Sequence, residues 1–541
     1  MVLHRFRSGW SAEGRLESRS LEELHLERSW SGSAVRTERF GQVGSLPVRQ
    51  WFPLAAVEDQ VVGVTWAAQL EWPGSWQMEV HRRYDNVALT GGLADREFGH
   101  WQKALVPGET LRAPLAILTC VEGDVDAACA RLVQRLERLA DEQPAVEQDL
   151  PITFNEFCTT WGDPQHDKVV RIARHLKGTP VRYFVIDAGW YKRPDATWAN
   201  GHGDWQPSAA LFPKGIEATA EAIRRQGLIP GLWFEAETCG EHSTAFSLID
   251  HLLKRDGIPI TAKGRRFWDL NDPWVRDYLS EKIIGLLERG SFGYVKIDYN
   301  ETIGIGCDGA ESQGEGLRQH LLGTWQLFDQ LRERLPELVI ENCASGGHRL
   351  EPSIVRRTAM SSFSDAHESL EIPIIGAALH RLIPPRQSLI WAVLRANDSR
   401  RRICYSLAAG FLGRLCLSGD IDQLSDEQGQ LLRHGLDLYT QVTPVIKSGR
   451  SQLVSQHGLS WRYPKGWQAV LRESDGQLLV VVHTFAAAPD EIRLPLPGDR
   501  PWRVVGELTD AGAASVEQAG RVLHCPAAAD FSGRVVWLKA G

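Results

Sequence analysis

The segment GYVKIDYN (293–300) holds a dense set of reactive side chains. Read as a strand, it alternates, so Lys296, Asp298 and Asn300 share one face while Val295, Ile297 and Tyr299 take the other. A cation and a carboxylate side by side are costly to bury as a bare ion pair. They make sense where a carboxylate must stay ionised for attack, and the reading is that Lys296 holds Asp298 in that state while reaching a substrate hydroxyl. Similar polar ends close most other strand-like segments: Asn155 and Glu156, Asp187, Glu235 and Glu237, Asp269, Glu341 and Asn342, Asp365 and Asp420. Carboxylates converging on one rim repel unless they bind something, which marks that rim as functional. Asp269 and Asp420, taken singly, are equally well explained as helix caps.

Positioning such a rim requires parallel strands, and strand and helix do alternate after about residue 147. The strand candidates are 151–158, 181–190, 229–237, 266–270, 293–300, 338–345, 359–366 and 414–420. Eight of them imply a (β/α)8 TIM barrel, whose chemistry sits at the C-terminal strand ends. RFWDL (266–270) is the weakest member, and SLIWAVLRA (388–396) is a run that could hide a strand. Residues 272–290 predict a helix with Asp272 as N-cap, Pro273 in the first turn and a stop at Gly290. Before the barrel, alternating segments such as VVGVTWAAQLEW (61–72) predict an antiparallel β-sandwich, followed by a helix over 125–143. After it, QLLVVVHTFAA (477–487) and RVVWLKA (534–540) predict a small antiparallel β-domain. The fold class is therefore multidomain α/β: a sandwich with linker helix over 1–147, a catalytic barrel over 148–450 and a C-terminal β-domain over 451–541.

A chain of 541 residues exceeds one compact core, in keeping with several domains. A net charge of -8 gives no reason to expect nucleic acid and favours a neutral small-molecule substrate. Nine cysteines without a C-x-x-C pair argue against a disulfide framework or structural zinc. No apolar stretch is long enough to span a membrane and MVLHRFRSGW lacks a signal-peptide core, so a cytoplasmic protein is expected. Twenty tryptophans offer flat faces of the kind that stack on sugar rings, although most are expected in the core. Association into a homo-oligomer is left open.

The series VIDAGWY (185–191), GDW (203–205), GLWFEAE (231–237), VKIDYN (295–300), ENCASGGHR (341–349) and SSFSDA (361–366), in this order, resembles glycoside hydrolase family 36, the melibiase-like α-galactosidases. The resemblance extends to the sandwich and is least clear after residue 450. It implies that Asp298 is the nucleophile, after the fourth barrel strand, and that Asp365 is the general acid/base, after the sixth. It implies that Lys296, Cys343, Gly346 and Gly347 line the sugar subsite and that Asp187 binds sugar hydroxyls. Trp190 and Trp233 match aromatic positions near the ring, and Arg265, with Arg266 as the alternative, matches a binding arginine. The glycines are expected to let a ring hydroxyl approach the backbone.

Some positions depart from the family pattern: Ala188 stands where a second aspartate is usual, Ile297 for a tryptophan, Glu301 for an arginine, and Ala366-His367-Glu368 for Asn-Thr-Asp. Ala188 in particular predicts a relaxed requirement for the hydroxyls at the far end of the sugar. The implied activity is a cofactor-free retaining double displacement on terminal α-D-galactosides, with the two carboxyls ~5–5.5 Å apart. Another α-glycoside or related pyranoside is the alternative substrate. A metal-dependent hydrolase using His202, His242, His348 or His367 lacks the usual ligand spacing. A sugar-binding protein without turnover would not need a second, proton-donating carboxyl.

Overall fold

The computed structural model describes residues 1–26, 36–517, 520–526 and 529–541. At its centre is a closed barrel of eight parallel strands, in order Ile152–Asn155, Val181–Ile186, Ile229–Phe234, Tyr294–Ile297, Val339–Asn342, Met360–Ser362, Ser388–Leu394 and Arg414–Gly419. Two strands differ from the sequence expectation. RFWDL contributes instead to a small three-stranded sheet outside the barrel, where Arg265–Phe267 pairs with Thr238–Gly240. The seventh barrel strand is Ser388–Leu394, buried along its whole length, as barrel strands flanked on both faces must be. Asp298 and Asp365 consequently follow the fourth and sixth strands.

The barrel floor is closed by polar groups. The turn Ala145–Asp149 lifts Glu147 into the barrel's N-terminal end, where it accepts bonds from Tyr183 Oη (2.6 Å) and Arg414 (2.6 Å). Burying the guanidinium and carboxylate together pairs their charges, and removing one would strand the other.

The predicted helix starts as expected, with Asp272 accepting the Trp274 N–H and Pro273 in the first turn. It is not uniform, because Ser280–Ile284 widens to a π-helical turn before Gly285–Gly290 closes the element. Upstream, two antiparallel sheets of five and three strands face each other over Phe40, Leu70, Trp76 and Met78. Helix Val125–Ala140, capped by Asp124, leads from there toward the barrel. Downstream, helix Asp426–Ser448 begins with a Ser425–Gln428 capping box and precedes a five-stranded and a three-stranded antiparallel sheet. Among the described residues no helix is long and apolar enough to cross a membrane.

Candidate active site

Asp298 sits at the end of the fourth strand, only 7% exposed, with its own N–H bonded to Phe234 O across the barrel register. Four N–H donors fix its carboxylate. Tyr299 N (2.8 Å) and Ser345 N (3.3 Å) reach Oδ1, and Asn300 Nδ2 (2.9 Å) and Trp233 Nε1 (3.3 Å) reach Oδ2. Asn300 is itself clamped, donating to Glu235 (2.8 Å) and accepting from Ser345 Oγ (2.9 Å).

Lys296 is not the bonded partner of Asp298 that side-chain alternation suggested. Its ammonium bonds Asp187 Oδ2 at 2.9 Å, reaching from the fourth strand to the end of the second, and lies 5.1 Å from the Trp391 ring. Burial disfavours this charge, but the Asp187 and Glu341 carboxylates outweigh it and raise the Lys296 pKa well above its ordinary value. Asp187 is further held by Asn155 Nδ2 (2.6 Å) and by the Ala188 N–H (2.8 Å). Glu341, beneath this pair, accepts from Tyr294 Oη, and burial pushes its pKa up to about 7.

Asp365 ends the sixth-strand segment in different surroundings. Burial first, and then the charge of Asp298, raise its pKa to about 6. Its Oδ2 accepts from Trp10 Nε1 at 2.8 Å, a residue of the N-terminal sandwich that sequence reasoning missed. A loop tip 355 residues upstream leaves no local pattern to find it by. Beside Trp10, Glu13 is buried, and desolvation lifts its pKa to about 8 despite a bond with Ser364. His367, with Nε2 4.0 Å from Asp365 and its ring 4.6 Å from that of Trp391, is driven down to about 4 by burial and by the Lys296 charge. It is neutral at pH 7.

The remaining sequence candidates divide. Arg265 turns toward this cluster, bonding Glu235 at 2.8 and 3.2 Å, whereas Arg266 packs over Phe246. Burial opposes the Glu235 charge, but its cationic neighbours and hydrogen bonds hold its pKa well below the usual carboxylate range. Cys343 donates its N–H to Ile297 O beside Asp298, and burial together with the Asp298 charge keeps its thiol protonated. Trp190 is fully buried, its indole N–H bonded to Trp233 O and its ring packed on Tyr191, Trp205 and Phe234. It shapes the wall from behind rather than presenting a face. Ala188 is 1% exposed, so its missing carboxylate leaves apolar packing in its place.

The two glycines have a structural reason that differs from the expected one. Gly346 has φ +76°, and a Cβ there would lie 2.3 Å from Asp365 N; a Cβ on Gly347 would lie 2.7 Å from Phe363 O. Both permit the fifth-strand loop, which bonds Asp298 through Ser345 N, to press against the backbone that carries Asp365.

Several polar strand ends stand apart from this chemistry. Glu237 is fully engaged by Arg349 (2.6 Å) and Thr324 (2.8 Å). Asp269 turns back to the Asn271 N–H, and Asp420 bonds Arg395. Asp204 of GDW caps Thr244 and Ala245. Among the described residues no three His, Cys, Asp or Glu are grouped as metal ligands.

Comparison with known proteins matches the melibiase family model over residues 117–449, more than half of the chain. Alpha-galactosidase 2 of Pediococcus pentosaceus is 26% identical over 414 residues, covering 74% of this chain and 56% of the relative. Alpha-galactosidase Mel36A of Lactobacillus acidophilus is 23% identical, covering 79% and 59%. This chain thus spans under two thirds of the length of these two relatives. Among solved structures, a variant of the GH36 alpha-galactosidase AgaA from Geobacillus stearothermophilus in complex with raffinose superposes with TM-score 0.85 at 20% identity, covering 100% of this chain and 75% of that one. The alpha-galactosidase from Lactobacillus brevis gives 0.84 at 19%, covering 100% and 74%, and both share the fold.

Proposed function

The chain belongs to the melibiase family, and from that premise we propose that it is a retaining α-galactosidase cleaving terminal α-D-galactosides of small oligosaccharides. The observation that carries this reading is the division of labour between two carboxyls. Asp298 is fixed by four donors at the end of one barrel strand, while Asp365, two strands on, has a pKa raised to about 6 by burial and by the Asp298 charge. Asp365 protonates the glycosidic oxygen as Asp298 attacks C1 and the C1–O bond breaks. The ionised Asp365 then takes a proton from water, whose oxygen attacks C1 and releases Asp298.

Around this pair, Lys296 and Asp187 form a donor and acceptor set suited to the hydroxyls of one pyranose, and buried Trp233 backs Asp298 through its indole N–H. Relatives named as α-galactosidases, and a family member bound to raffinose, support galactose as the glycone. Ala188 favours a second, broader reading, in which the 6-hydroxymethyl group is not required. The nine free thiols support a reducing, cytoplasmic setting.

The test is a screen of nitrophenyl glycosides differing in anomer, in C4 configuration and in the presence of C6. Turnover of α-galactoside, with the α-anomer of galactose appearing first by proton NMR, is the expected outcome. A β-anomer first product would refute retention, and preference for another glycone would refute the substrate.

A further inference from the structure

Asp365 lies on the side of the site from which the leaving group departs, because it is the group that hands over the proton. Bonded to its Oδ2 is an indole that belongs to another domain and that remains 69% exposed even though its polar edge is engaged. Three other aromatic rings of the site, Trp190, Trp233 and Trp391, are buried. Trp10 therefore presents a large flat apolar face to solvent within hydrogen-bond reach of the carboxyl that touches the scissile oxygen.

The loop carrying Trp10 is held in place. Ser8 N bonds Gln50 O, Ala12 N bonds Gly9 O and Gly14 N bonds Arg7 O, which closes the tip between the strands Val2–Arg7 and Arg15–Ser20. Glu13, fully buried, abuts Gly347 so closely that a Cβ there would lie 2.8 Å from Glu13 Cγ. A preformed face costs little ordering when a ligand arrives.

We propose that Trp10 is the platform of the leaving-group subsite: its exposed indole face stacks on the C–H face of the pyranose that departs with the oxygen protonated by Asp365, while its N–H holds that carboxyl in position. The N–H bond also favours the ionised Asp365 that must exist between the two steps. The inference rests on the glycosidase reading above.

The experiment compares a glycosyl fluoride with a disaccharide sharing its glycone, chosen as the one that wild type prefers in the nitrophenyl screen. Fluoride has no ring to stack and needs little protonation. Trp10→Ala should lower kcat/KM for the disaccharide roughly tenfold or more while leaving the fluoride within about threefold. Trp10→Phe keeps a flat ring and loses the donor; it should keep the disaccharide KM within about threefold and move the pH at which disaccharide hydrolysis declines upward. Equal losses on both substrates in Trp10→Ala, or no loss on the disaccharide, would overturn the proposal. A wild type preferring a glycone other than galactose overturns only the substrate assignment, and one that hydrolyses nothing in the screen overturns both.

Discussion

A carboxyl whose pKa lies near 6 can give and take a proton within one turnover close to neutrality, which is what the acid/base role proposed for Asp365 requires. As the general acid it must be protonated, so hydrolysis of substrates with poor leaving groups should fall as pH rises through about 6. Asp365→Ala should lose that limb and slow such substrates by about 10²–10⁴-fold, with a much smaller effect on activated nitrophenyl glycosides. Equal losses on both substrate types would remove it as the acid. At this scale the sequence was informative about identities and poor on pairings. Strand alternation placed Lys296, Asp298 and Asn300 on one face, and the Asn300–Asp298 bond follows from that. It could not show that a lysine in a barrel interior reaches to Asp187 two strands away, because alternation orders residues within a strand and not across the barrel.

Elements set where these residues stand, and the contact between the fifth- and sixth-strand loops is a tight demand on them. Gly346 lies in the left-handed region with no room for a Cβ against Asp365 N. Gly346→Ala combines about 1–2 kcal/mol of backbone strain with a backbone collision. It should lower Tm and reduce kcat more for poor than for activated leaving groups, since the displaced backbone carries Asp365, the proposed acid. Unchanged kinetics with a lowered Tm would show that the loop contact serves stability alone. The motif ENCASGGHR named these glycines, but their purpose depends on a neighbouring loop that the motif does not contain. The exchange of RFWDL for SLIWAVL in the barrel has a similar origin. A continuous apolar run buried on both faces carries no period, so Ser388–Leu394 reads equally as strand or buried helix, while RFWDL is an apolar-rich segment that pairs with Thr238–Gly240 outside the barrel.

At the scale of the whole molecule, the candidate site lies where the N-terminal sandwich meets the barrel. The three-part organisation was visible in the changing periodicity of the chain, yet nothing in residues 8–14 announces that they dock on a loop more than 350 positions away. Docking brings Glu13 with it. In the unfolded chain this carboxyl titrates near 4.5, and in the folded protein near 8, because burial beside Asp365 disfavours its charge. Between those values the folded state binds more protons than the unfolded state, so the contribution of Glu13 is full below about pH 4.5 and declines as pH rises to about 8. At about 1.36 kcal/mol per tenfold the loss is at most about 5 kcal/mol. Glu13→Gln keeps the shape and cannot ionise, so its Tm relative to wild type should rise steadily from pH 5 to pH 8.5. Parallel Tm curves for the two proteins across that range would mean that Glu13 is already ionised in the folded state, and that the loop bearing Trp10 is pinned by its backbone bonds rather than by a buried neutral acid.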